Sequence, residues 1–516
     1  MRRSGVLLPV TSLPSRFGIG TFSKEAYAFV DFLKEAGQKL WQILPLGPTG
    51  YGDSPYQAFS TFAGNPYLID LEELIENGWL TEEECENTDW GGSKSYVDYE
   101  KMYQGRFPLL RKAYHNSHIA ENAEFIAFCE ENDWWLSDYA LFMAIKDSQG
   151  GASFLEWDAP LKLREPEAIR RCRHELSDEI CFWQFLQYLF AKQWQALKAY
   201  ANGKGISIIG DIPIYVALDS ADVWANRELF QLEKDGYPTV VAGVPPDYFS
   251  ATGQLWGNPH YAWREHEKTG FAWWLSRIQK NLQDVDILRI DHFRGFAGYY
   301  AIPYGDKTAE NGRWRTGPGY ALFAAVKKEL GSPRIIAEDL GFLTDDVRAL
   351  LKECAYPGMK VLEFAFDSRD GGDYRPHSYP TNCIAYTGTH DNEPVDGWFG
   401  TALPDDIERA IQYLNLTKEE GMNWGMMRGI WSSVADLAVV QAQDVLGLGH
   451  EARMNTPATL GGNWCWRALP GAFTPELAQK LHDAMELYGR LPEEPAAEPD
   501  ETEKSEDAEK AAEPKT

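Results

Sequence analysis

The sequence lacks the cysteine patterns of a disulfide-bonded or zinc-binding protein. Its seven cysteines are odd in number, lie far apart and include no Cys-x-x-Cys pair. Reduced thiols in a cytosolic protein are the simplest interpretation of this pattern. No stretch approaches the roughly eighteen uninterrupted apolar residues of a membrane span. The apolar run at 6–10 contains Pro9 and is too short for a signal peptide. These absences predict a cytoplasmic location.

Positive charge is scarce. The chain has 49 Lys and Arg against 77 Asp and Glu, which gives a formal net charge of −28. After Pro492 there are ten acidic residues and three lysines, so the rest of the chain still carries about −21. Repulsion from phosphates argues against nucleic acids and anionic membranes as partners. Residues 492–516 contain almost no apolar residue beyond alanine, and we expect them to form a disordered acidic tail.

Several catalytic motifs are also absent. There is no Gly-x-x-x-x-Gly-Lys-Ser/Thr phosphate loop, no Gly-x-Ser-x-Gly nucleophile elbow and no His-Glu-x-x-His pair. His292 and His390 each stand beside an aspartate, so a metal site is an alternative for this region. Such a site would have fewer assembled ligands than a sugar site would have hydrogen-bonding partners. We therefore predict no metal.

Aromatic residues, in contrast, are abundant. The chain has 19 tryptophans, and Phe, Trp and Tyr together make up 13% of it. A large hydrophobic core accommodates such side chains without any further role. Alternatively, flat apolar faces of sugar rings stack on them. Composition alone does not decide between these two interpretations.

Short apolar runs bounded by turn residues predict strands buried on both faces. Eight runs fit this description, at 5–10, 40–46, 206–216, 286–291, 334–338, 360–366, 383–391 and 442–448. Helical patterns separate them, which predicts the α/β class and a (β/α)8 TIM barrel that forms a catalytic domain over 1–491. A large, mostly helical insertion is predicted after strand 2 at about 75–190, and a long loop insertion after strand 3 at about 217–285.

Three of these runs end on an acidic residue, namely Asp291, Glu338 and Asp391. The carboxyl ends of the strands build the active site of such a barrel, so these acids indicate carboxylate chemistry on a neutral substrate. Taken singly, Asp291 is also explained by a salt bridge, Glu338 by a helix start and Asp391 by a turn. Together they supply the nucleophile, the acid/base and the third carboxylate of a retaining glycosidase.

Two further residues support this interpretation. Arg289 alternates with Asp291 and therefore shares its strand face, where a guanidinium keeps a carboxylate ionised and oriented. An ionised aspartate suits a nucleophile, whereas Glu338, close to other carboxylates, gains the raised pKa that a general acid needs. Asp211 is a fourth acid of the barrel, with a buried, hydrogen-bonded aspartate as its structural alternative.

Several motifs occur in a fixed order along the chain. They are Gly-Pro-Thr-Gly at 47–50, Tyr-Gly-Asp-Ser-Pro-Tyr-Gln at 51–57, Gly-Asn-Pro-Tyr at 64–67, Gly-Asp-Ile-Pro-Ile-Tyr at 210–215, Gly-Val-Pro-Pro-Asp-Tyr-Phe at 243–249, Gly-Gln-Leu-Trp-Gly-Asn-Pro at 253–259, the three acidic motifs, Arg-Met-Asn-Thr-Pro at 453–457 and Leu-Gly-Gly-Asn-Trp at 460–464. With these motifs the chain resembles the amylomaltases of the α-amylase clan, which are 4-α-glucanotransferases also called disproportionating enzymes. The resemblance runs from residue 5 to about residue 489 and is weaker through the helical insertion.

The resemblance implies a barrel without the clan's usual C-terminal β-domain and without a metal or organic cofactor. It implies that Asp291 is the nucleophile, Glu338 the acid/base and Asp391 the transition-state stabiliser. The residues that it places along the sugar subsites are Arg289, His390, Asp211, Tyr56, Ser54, Trp256, Gln254, Tyr248, Asn455 and His292. The implied partners are malto-oligosaccharides, glucans derived from starch or glycogen, and glucose as an acceptor, with no nucleic acid and no membrane.

We therefore predict transfer of α-1,4-glucan segments by a retaining double displacement. The alternatives are an α-glucan hydrolase or branching enzyme with the same carboxylates, and a non-catalytic glucan-binding protein, which has no need for three acids. The segment 243–259, with Tyr248 and Trp256, is a candidate lid against water, or else an ordinary long loop. Ala458 stands where related sequences often carry glycine. If its backbone needs a positive φ, alanine is strained there.

Overall fold

The computed structural model describes residues 2–50, 52–246, 250–341, 343–369 and 373–491. Its strands are β1 (Arg3–Leu7), β2 (Leu40–Gln42), β3 (Ser207–Pro213), β4 (Val240–Val244), β5 (Gln254–Pro259), β6 (Ile287–Asp291), β7 (Gly298–Pro303), β8 (Arg313–Thr316), β9 (Ile335–Ala337), β10 (Gly358–Val361), β11 (Cys383–Tyr386) and β12 (Leu437–Gln441). Eight of them form a parallel sheet in the order β10-β11-β12-β1-β2-β3-β6-β9. The backbone N–H of Ala337 in β9 donates to the carbonyl of Pro357, just before β10, at 3.0 Å. The sheet thereby curls into the predicted barrel.

The barrel interior is filled by side chains and is not a pore. Residues from all eight strands form one buried apolar cluster there: Leu7, Leu40, Ile209, Ile287, Ile336, Met359, Val361, Ile384, Tyr386, Leu437 and Val439. Alternate residues of the same strands point outward and join the larger core under the helices, as Val6 and Ile208 do. Burial on both faces explains why these strands appear in the sequence as continuous apolar runs.

The register of the barrel strands places polar residues side by side at their carboxyl ends. In the pairing of β3 with β6, Asp211 lies opposite Arg289. In the pairing of β6 with β9, Ile290 lies opposite Ala337, and Asp291 and Glu338 each follow one residue later. Two acids predicted from separate segments therefore come from neighbouring strands.

The helices surround this barrel. They are α1 (Lys24–Glu35), α2 (Leu71–Glu76), α3 (Glu82–Glu86), α4 (Tyr99–Ser117), α5 (Ala123–Ser148), α6 (Ala159–Lys162), α7 (Pro166–Glu175), α8 (Ser177–Gly203), α9 (Ala221–Ala225), α10 (Trp263–Lys268), α11 (Ala272–Asp284), α12 (Tyr320–Leu330), α13 (Asp345–Cys354), α14 (Val395–Thr401), α15 (Pro404–Leu414), α16 (Met422–Trp431), α17 (Ala442–Leu446) and α18 (Pro475–Leu487). Seven of them, α2 to α8, lie between β2 and β3, where a mostly helical insertion at about 75–190 was predicted. Three of these helices start at polar caps of the same kind: the side chains of Asp70, Asp98 and Asn122 accept backbone N–H groups of α2, α4 and α5.

The segment predicted as a long loop insertion contains regular structure. It carries β4, β5 and three helices, and β4 pairs with β7, so that a second sheet has the antiparallel order β5-β4-β7-β8. The candidate lid at 243–259 includes the end of β4 and all of β5. Tyr248 lies outside the described residues, and the lid itself stays a prediction.

The prediction that the eighth strand lies at 442–448 is wrong. The strand is β12, which ends at Gln441, and 442–446 form helix α17. The β-branched run Val439-Val440 favours the strand, whereas Gly447 ends the helix in a left-handed conformation with φ +64°. The sixth strand is also displaced, because β10 ends at Val361 and 362–365 form a 3-10 turn.

After β12 the described residues contain helices and turns but no further strand, up to residue 491. The predicted acidic tail at 492–516 lies outside the described part of the chain. No helix within the described residues is long and apolar enough to cross a membrane. The division into a catalytic barrel with two inserted segments stays our interpretation of domain boundaries.

Candidate active site

Arg289 joins two acids at the mouth of the barrel. It is almost completely buried, with 3% of its surface exposed. Its Nη1 lies 2.5 Å from Oδ2 of Asp211, and its Nη2 lies 3.0 Å from Oδ1 of Asp291. The guanidinium therefore donates a hydrogen bond to Asp211 and forms an ion pair with Asp291, which orients both carboxylates. The strand register that places Asp211 beside Arg289 produces this arrangement.

Tyr56 closes one side of the same cluster. Its hydroxyl donates to Oδ2 of Asp211 at 2.8 Å, and its ring stacks on His390 with a centroid distance of 5.1 Å and an interplanar angle of 19°. The Ser54 Oγ accepts the backbone N–H of Tyr56 at 3.3 Å and so shapes the turn that presents the ring. Trp464 contacts both rings, at 5.7 Å from Tyr56 and 5.9 Å from His390.

Glu338 is held by two backbone amides. The N–H groups of His292 and Leu340 donate to its carboxyl oxygens at 2.7 and 2.8 Å. The amide of His292 faces Glu338 from a left-handed backbone, with φ +52°, an uncommon conformation for a non-glycine residue. This strained turn directly follows Asp291, so it connects the two acids physically.

The pKa values of the two neighbouring acids are raised by different amounts. Burial raises the pKa of Glu338 to about 8, and the charge of Asp291 contributes, against the opposing effect of Arg289. Burial likewise raises the pKa of Asp291, to about 6, although Arg289 lowers it and about a third of the side chain (32%) remains exposed to the cleft. Asp291 therefore ionises first, while Glu338 keeps its proton. Such a separation suits a pair in which one carboxylate acts as the nucleophile and the other carboxyl group as the acid.

Asp391 reaches the site from the segment after β11. Its Oδ1 accepts Nδ2 of Asn455 at 2.6 Å and lies 3.4 Å from Nε2 of His390. Its negative charge contributes to raising the pKa of Asp291, which places the two carboxylates within electrostatic reach of each other. Through His390 and Tyr56 the third acid joins the network of Asp211 and Arg289.

Arg453 fixes the segment that carries Asp391. Its guanidinium donates to the backbone carbonyl of Asp391 at 2.7 Å, to that of Asn455 at 2.8 Å and to Oε1 of Glu393 at 2.6 Å. Arg453 belongs to the motif at 453–457 but was not among the predicted site residues. Trp464 was likewise not among the predicted site residues, and the motif at 460–464 is the feature of the sequence that could have identified it.

Aromatic side chains pack against His292, which lies between the two acids in the chain and in space. Trp256 of β5 meets His292 edge to face at 4.9 Å, and its indole N–H donates to Oε1 of Gln254 at 3.1 Å. Burial lowers the pKa of His292 to about 3, so the imidazole is neutral. Tyr215, which the sequence analysis did not select, lies 6.3 Å from Trp256 and 6.4 Å from His292. Tyr215 is the last residue of the motif at 210–215.

The structure thus brings most of the predicted residues together. Asp211, Arg289, Asp291, Tyr56, His390, Asp391 and Asn455 form one connected network, and Glu338, His292 and Trp256 form its neighbour. Ser54 is hydrogen-bonded to Tyr56, and Gln254 to Trp256, rather than to a carboxylate. Tyr248 lies outside the described residues. Within those residues, no group of three or more His, Cys, Asp or Glu side chains is arranged to hold a metal ion.

A loop beside Asn455 has an unusual backbone. Ala458 has φ +61°, the positive value for which alanine is less suited than glycine. Gly461 and Gly462 follow with φ +79° and +74°, and Trp464 has φ +64°. Four left-handed residues in one short loop fold the chain back so that the Trp464 ring returns to Tyr56 and His390.

The chain is similar to known proteins over nearly its whole length. A family model described as 4-alpha-glucanotransferase, of glycosyl hydrolase family 77, matches residues 8–471. A 4-alpha-glucanotransferase of Clostridium butyricum is 50% identical over 93% of this chain and 99% of its own length. One from Thermus thermophilus is 48% identical over 95% and 99% of the two chains.

Solved structures agree with these matches. The amylomaltase from Streptococcus agalactiae in complex with acarbose has a TM-score of 0.93 and 44% sequence identity, and the match covers 95% of this chain and 100% of that chain. The amylomaltase from Corynebacterium glutamicum, at 19% identity and a TM-score of 0.74, shares the fold over 95% of this chain and 74% of that chain. The protein described here belongs to the 4-alpha-glucanotransferase family.

Proposed function

We propose that this protein transfers α-1,4-glucan segments between malto-oligosaccharides by a retaining double displacement, with Asp291 as nucleophile, Glu338 as acid/base and Asp391 as transition-state stabiliser. The observation that carries the proposal is the electrostatic difference between two acids on neighbouring strands. Asp291 faces the Arg289 guanidinium, whereas Glu338 has the more strongly raised pKa. A retaining mechanism needs one ionised and one protonated carboxyl group beside the same anomeric carbon.

In the first step Asp291 attacks C1 of an α-linked glucosyl unit, and the bond from C1 to the leaving oxygen breaks. Glu338 donates its proton to that oxygen, and a β-glucosyl-aspartate forms. Arg289 holds Asp291 in position and keeps it ionised until the attack. Asp391, fixed by Asn455, is directed at the sugar hydroxyls, whose hydrogen bonds strengthen as the oxocarbenium character develops.

In the second step Glu338, now ionised, takes the proton from the 4-hydroxyl of an acceptor sugar. That oxygen attacks C1, Asp291 leaves, and an α-1,4 link is restored. Transfer exceeds hydrolysis when the acceptor is held in line and water is excluded. Trp256, which contacts His292, and Trp464, which contacts His390, are large apolar side chains beside the acids and support this requirement.

The substrates that we propose are malto-oligosaccharides and glucans derived from starch or glycogen, with glucose as an acceptor. Acarbose, which is present in the structure of the Streptococcus agalactiae relative, is a suitable ligand for a first binding measurement. Neither a nucleic acid nor a membrane surface is part of the proposal, and a cytoplasmic location suits substrates of this kind.

Incubation with maltotriose tests the proposal. We expect glucose and a ladder of longer oligosaccharides, with a constant number of reducing ends. The variant Asp291→Asn should lose the ladder while its circular dichroism spectrum stays unchanged. Asp405→Asn, on the exposed start of α15, is the matched control and should keep it. An intact ladder in Asp291→Asn would end the proposal.

The same measurement separates the remaining alternatives. A hydrolase raises the number of reducing ends, and a branching enzyme makes α-1,6 links that a debranching treatment removes. A non-catalytic glucan-binding protein leaves maltotriose unchanged.

A further inference from the structure

A second cleft lies outside the barrel, between helices α5, α8 and α11. It has a volume of about 670 Å³, within the range of roughly 300–1,000 Å³ that is usual for small-molecule sites. Its walls are Phe62, Gly64, Glu124, Phe128, Glu131, Asn132, Trp134, Trp135, Gln187, Tyr188, Phe190, Ala191, Lys192, Gln195, Ser276, Gln279, Lys280, Gln283 and Asp284. None of the residues assigned to the catalytic network is among them.

An exposed aromatic platform stands in this cleft. Trp134 has 54% of its surface exposed, an uncommon state for so large an apolar side chain. Phe62 supports it edge to face at a centroid distance of 5.0 Å, and Trp273 supports Phe62 at 5.9 Å. The ring is therefore held in position from one side and remains open for contact. Indole rings in this situation stack on flat apolar faces of ligands.

The facing wall offers amides and a hydroxyl. Ser276, Gln279 and Gln283 are spaced i, i+3 and i+7 along α11, which places them on one face of the helix. Gln195 of α8 adds a third amide. Among the described residues, the side chains of Gln195, Gln279 and Gln283 make no hydrogen bond, in contrast to Gln187, which is paired with the backbone of Gly64. Their donors and acceptors are available to a polyhydroxyl ligand.

The charges in the cleft disfavour anions. Nζ of Lys280 is 2.5 Å from Oδ2 of Asp284, and Nζ of Lys192 lies over the Tyr188 ring at 5.8 Å. Glu124 and Glu131 add further negative charge at the same walls. A phosphate or a carboxylate ligand would meet three acids and two already engaged lysines. The ligand chemistry that remains is a neutral molecule with flat apolar faces and many hydroxyl groups.

We propose that this cleft is an auxiliary binding site for a segment of α-1,4-glucan, with Trp134 as the stacking platform and the amides of Gln195, Gln279 and Gln283 as hydroxyl partners. The inference rests on the proposed function, because it assigns a second contact to the same substrate. A long glucan would contact this cleft and the catalytic cleft together, which raises its effective concentration at the acids. A trisaccharide is too short for such double contact.

Binding is tested in the Glu338→Gln variant, which should hold glucans without turning them over. Calorimetric titration with maltoheptaose should show one fewer bound molecule, or a site at least about tenfold weaker, when Trp134→Ala is added. Gln279→Ala should weaken the same site. Ile126→Ala is the matched control, since Ile126 is an exposed apolar residue (44%) of the same helix α5 that does not line the cleft.

Activity gives an independent measurement in the wild-type background. Trp134→Ala should raise KM for amylose severalfold with kcat unchanged, and it should leave both constants for maltotriose unchanged. The auxiliary site would be overturned if the Trp134→Ala and Gln279→Ala variants bound maltoheptaose with the same stoichiometry and affinity as the Ile126→Ala control. If the wild-type protein formed no ladder from maltotriose, the proposed function would be overturned instead. The two failures are therefore distinguishable.

Discussion

Asn455 donates a hydrogen bond of 2.6 Å from its Nδ2 to Oδ1 of Asp391. The backbone N–H of Asn455 also donates to the carbonyl of His390 at 3.1 Å. The amide side chain therefore fixes the carboxylate, and the backbone fixes the segment that carries it. A carboxylate held in this way needs no reorganisation when charge develops on a sugar ring.

Replacement of Asn455 by alanine should lower kcat about tenfold to a hundredfold, less than the roughly hundredfold to thousandfold loss for a donor that contacts the transition state itself. KM for maltotriose should change little, because the lost hydrogen bond acts mainly as the transition state forms. Steady-state kinetics measure the split between the two constants. The exposed Asn311→Ala is the control. A rise in KM at constant kcat would show that Asn455 contributes to ground-state binding instead.

Arg453 should behave as a positioning residue. Lysine keeps the charge but offers no planar fork, so Arg453→Lys cannot contact Glu393 and the carbonyls of Asp391 and Asn455 together. We expect kcat to fall at least about tenfold, with an unchanged circular dichroism spectrum. Because a displaced Asp391 acts less on Asp291, the acidic limb of the pH profile should move to lower pH. A profile of unchanged shape would mean that Arg453 only stabilises the fold.

The pH dependence of kcat/KM for maltotriose should be bell-shaped. Asp291 must be ionised to attack, so activity should fall as pH drops below its raised pKa of about 6. Glu338 must be protonated to act as an acid, so activity should fall as pH rises through its raised pKa of about 8. Initial rates across the range measure both limbs. Activity that stays constant well above pH 8 would contradict the role of Glu338.

The raised pKa of Glu338 also predicts an effect on stability. The folded protein binds this proton more tightly than the unfolded chain, so the free energy of unfolding should fall as pH rises from the ordinary glutamate pKa to about 8. Glu338→Gln removes the ionisation. Its stability relative to wild type should therefore increase with pH over that window, and the difference should be constant below it. Urea unfolding at several pH values measures the effect, and a pH-independent difference would refute it.

Ala458→Gly should stabilise the protein, by about 0.5–1 kcal/mol, because glycine adopts φ +61° without the Cβ strain of alanine. The midpoint of urea unfolding should move upward accordingly. Ala324→Gly on the exposed face of helix α12 is the matched control and should destabilise by a similar amount. A lower stability of Ala458→Gly would mean that the entropy of the unfolded chain outweighs the relief of strain.

The barrel was predictable because parallel strands buried on both faces appear as continuous apolar runs. The pair of Asp291 and Glu338 was predictable from the carboxyl ends of neighbouring strands, whereas the pairing of Asp211 with Arg289 became visible only in the strand register. The eighth strand was misplaced because Val445, Leu446 and Leu448 continue an apolar pattern across the strand end, and only Gly447 marks a helix end there. Apolar content alone does not separate a strand from the short helix that follows it.

Other features depend on contacts between distant segments. The antiparallel sheet joins β4 to β7 across β6, and nothing local in β5, which contains Gly257 and Pro259, indicates a strand. Arg453 gains its importance from three oxygens that only the folded chain brings together. Trp464 reaches Tyr56 through a loop in which Ala458 and Trp464 itself have a positive φ, which the preferences of alanine and tryptophan do not predict. Arg453 and Trp464 both belong to motifs of the sequence, but the sequence does not show which residues they contact.

Strand β1 pairs with β12, so the first strand and the last strand of the barrel are neighbours. A ribosome synthesises β1 hundreds of residues before β12. During that time the backbone N–H and C=O groups on one edge of β1 have no partner strand. Unpaired strand edges of this kind promote association between nascent chains. Translation of this protein should therefore pass through a long aggregation-prone interval, and chaperones that shield extended segments should raise its yield.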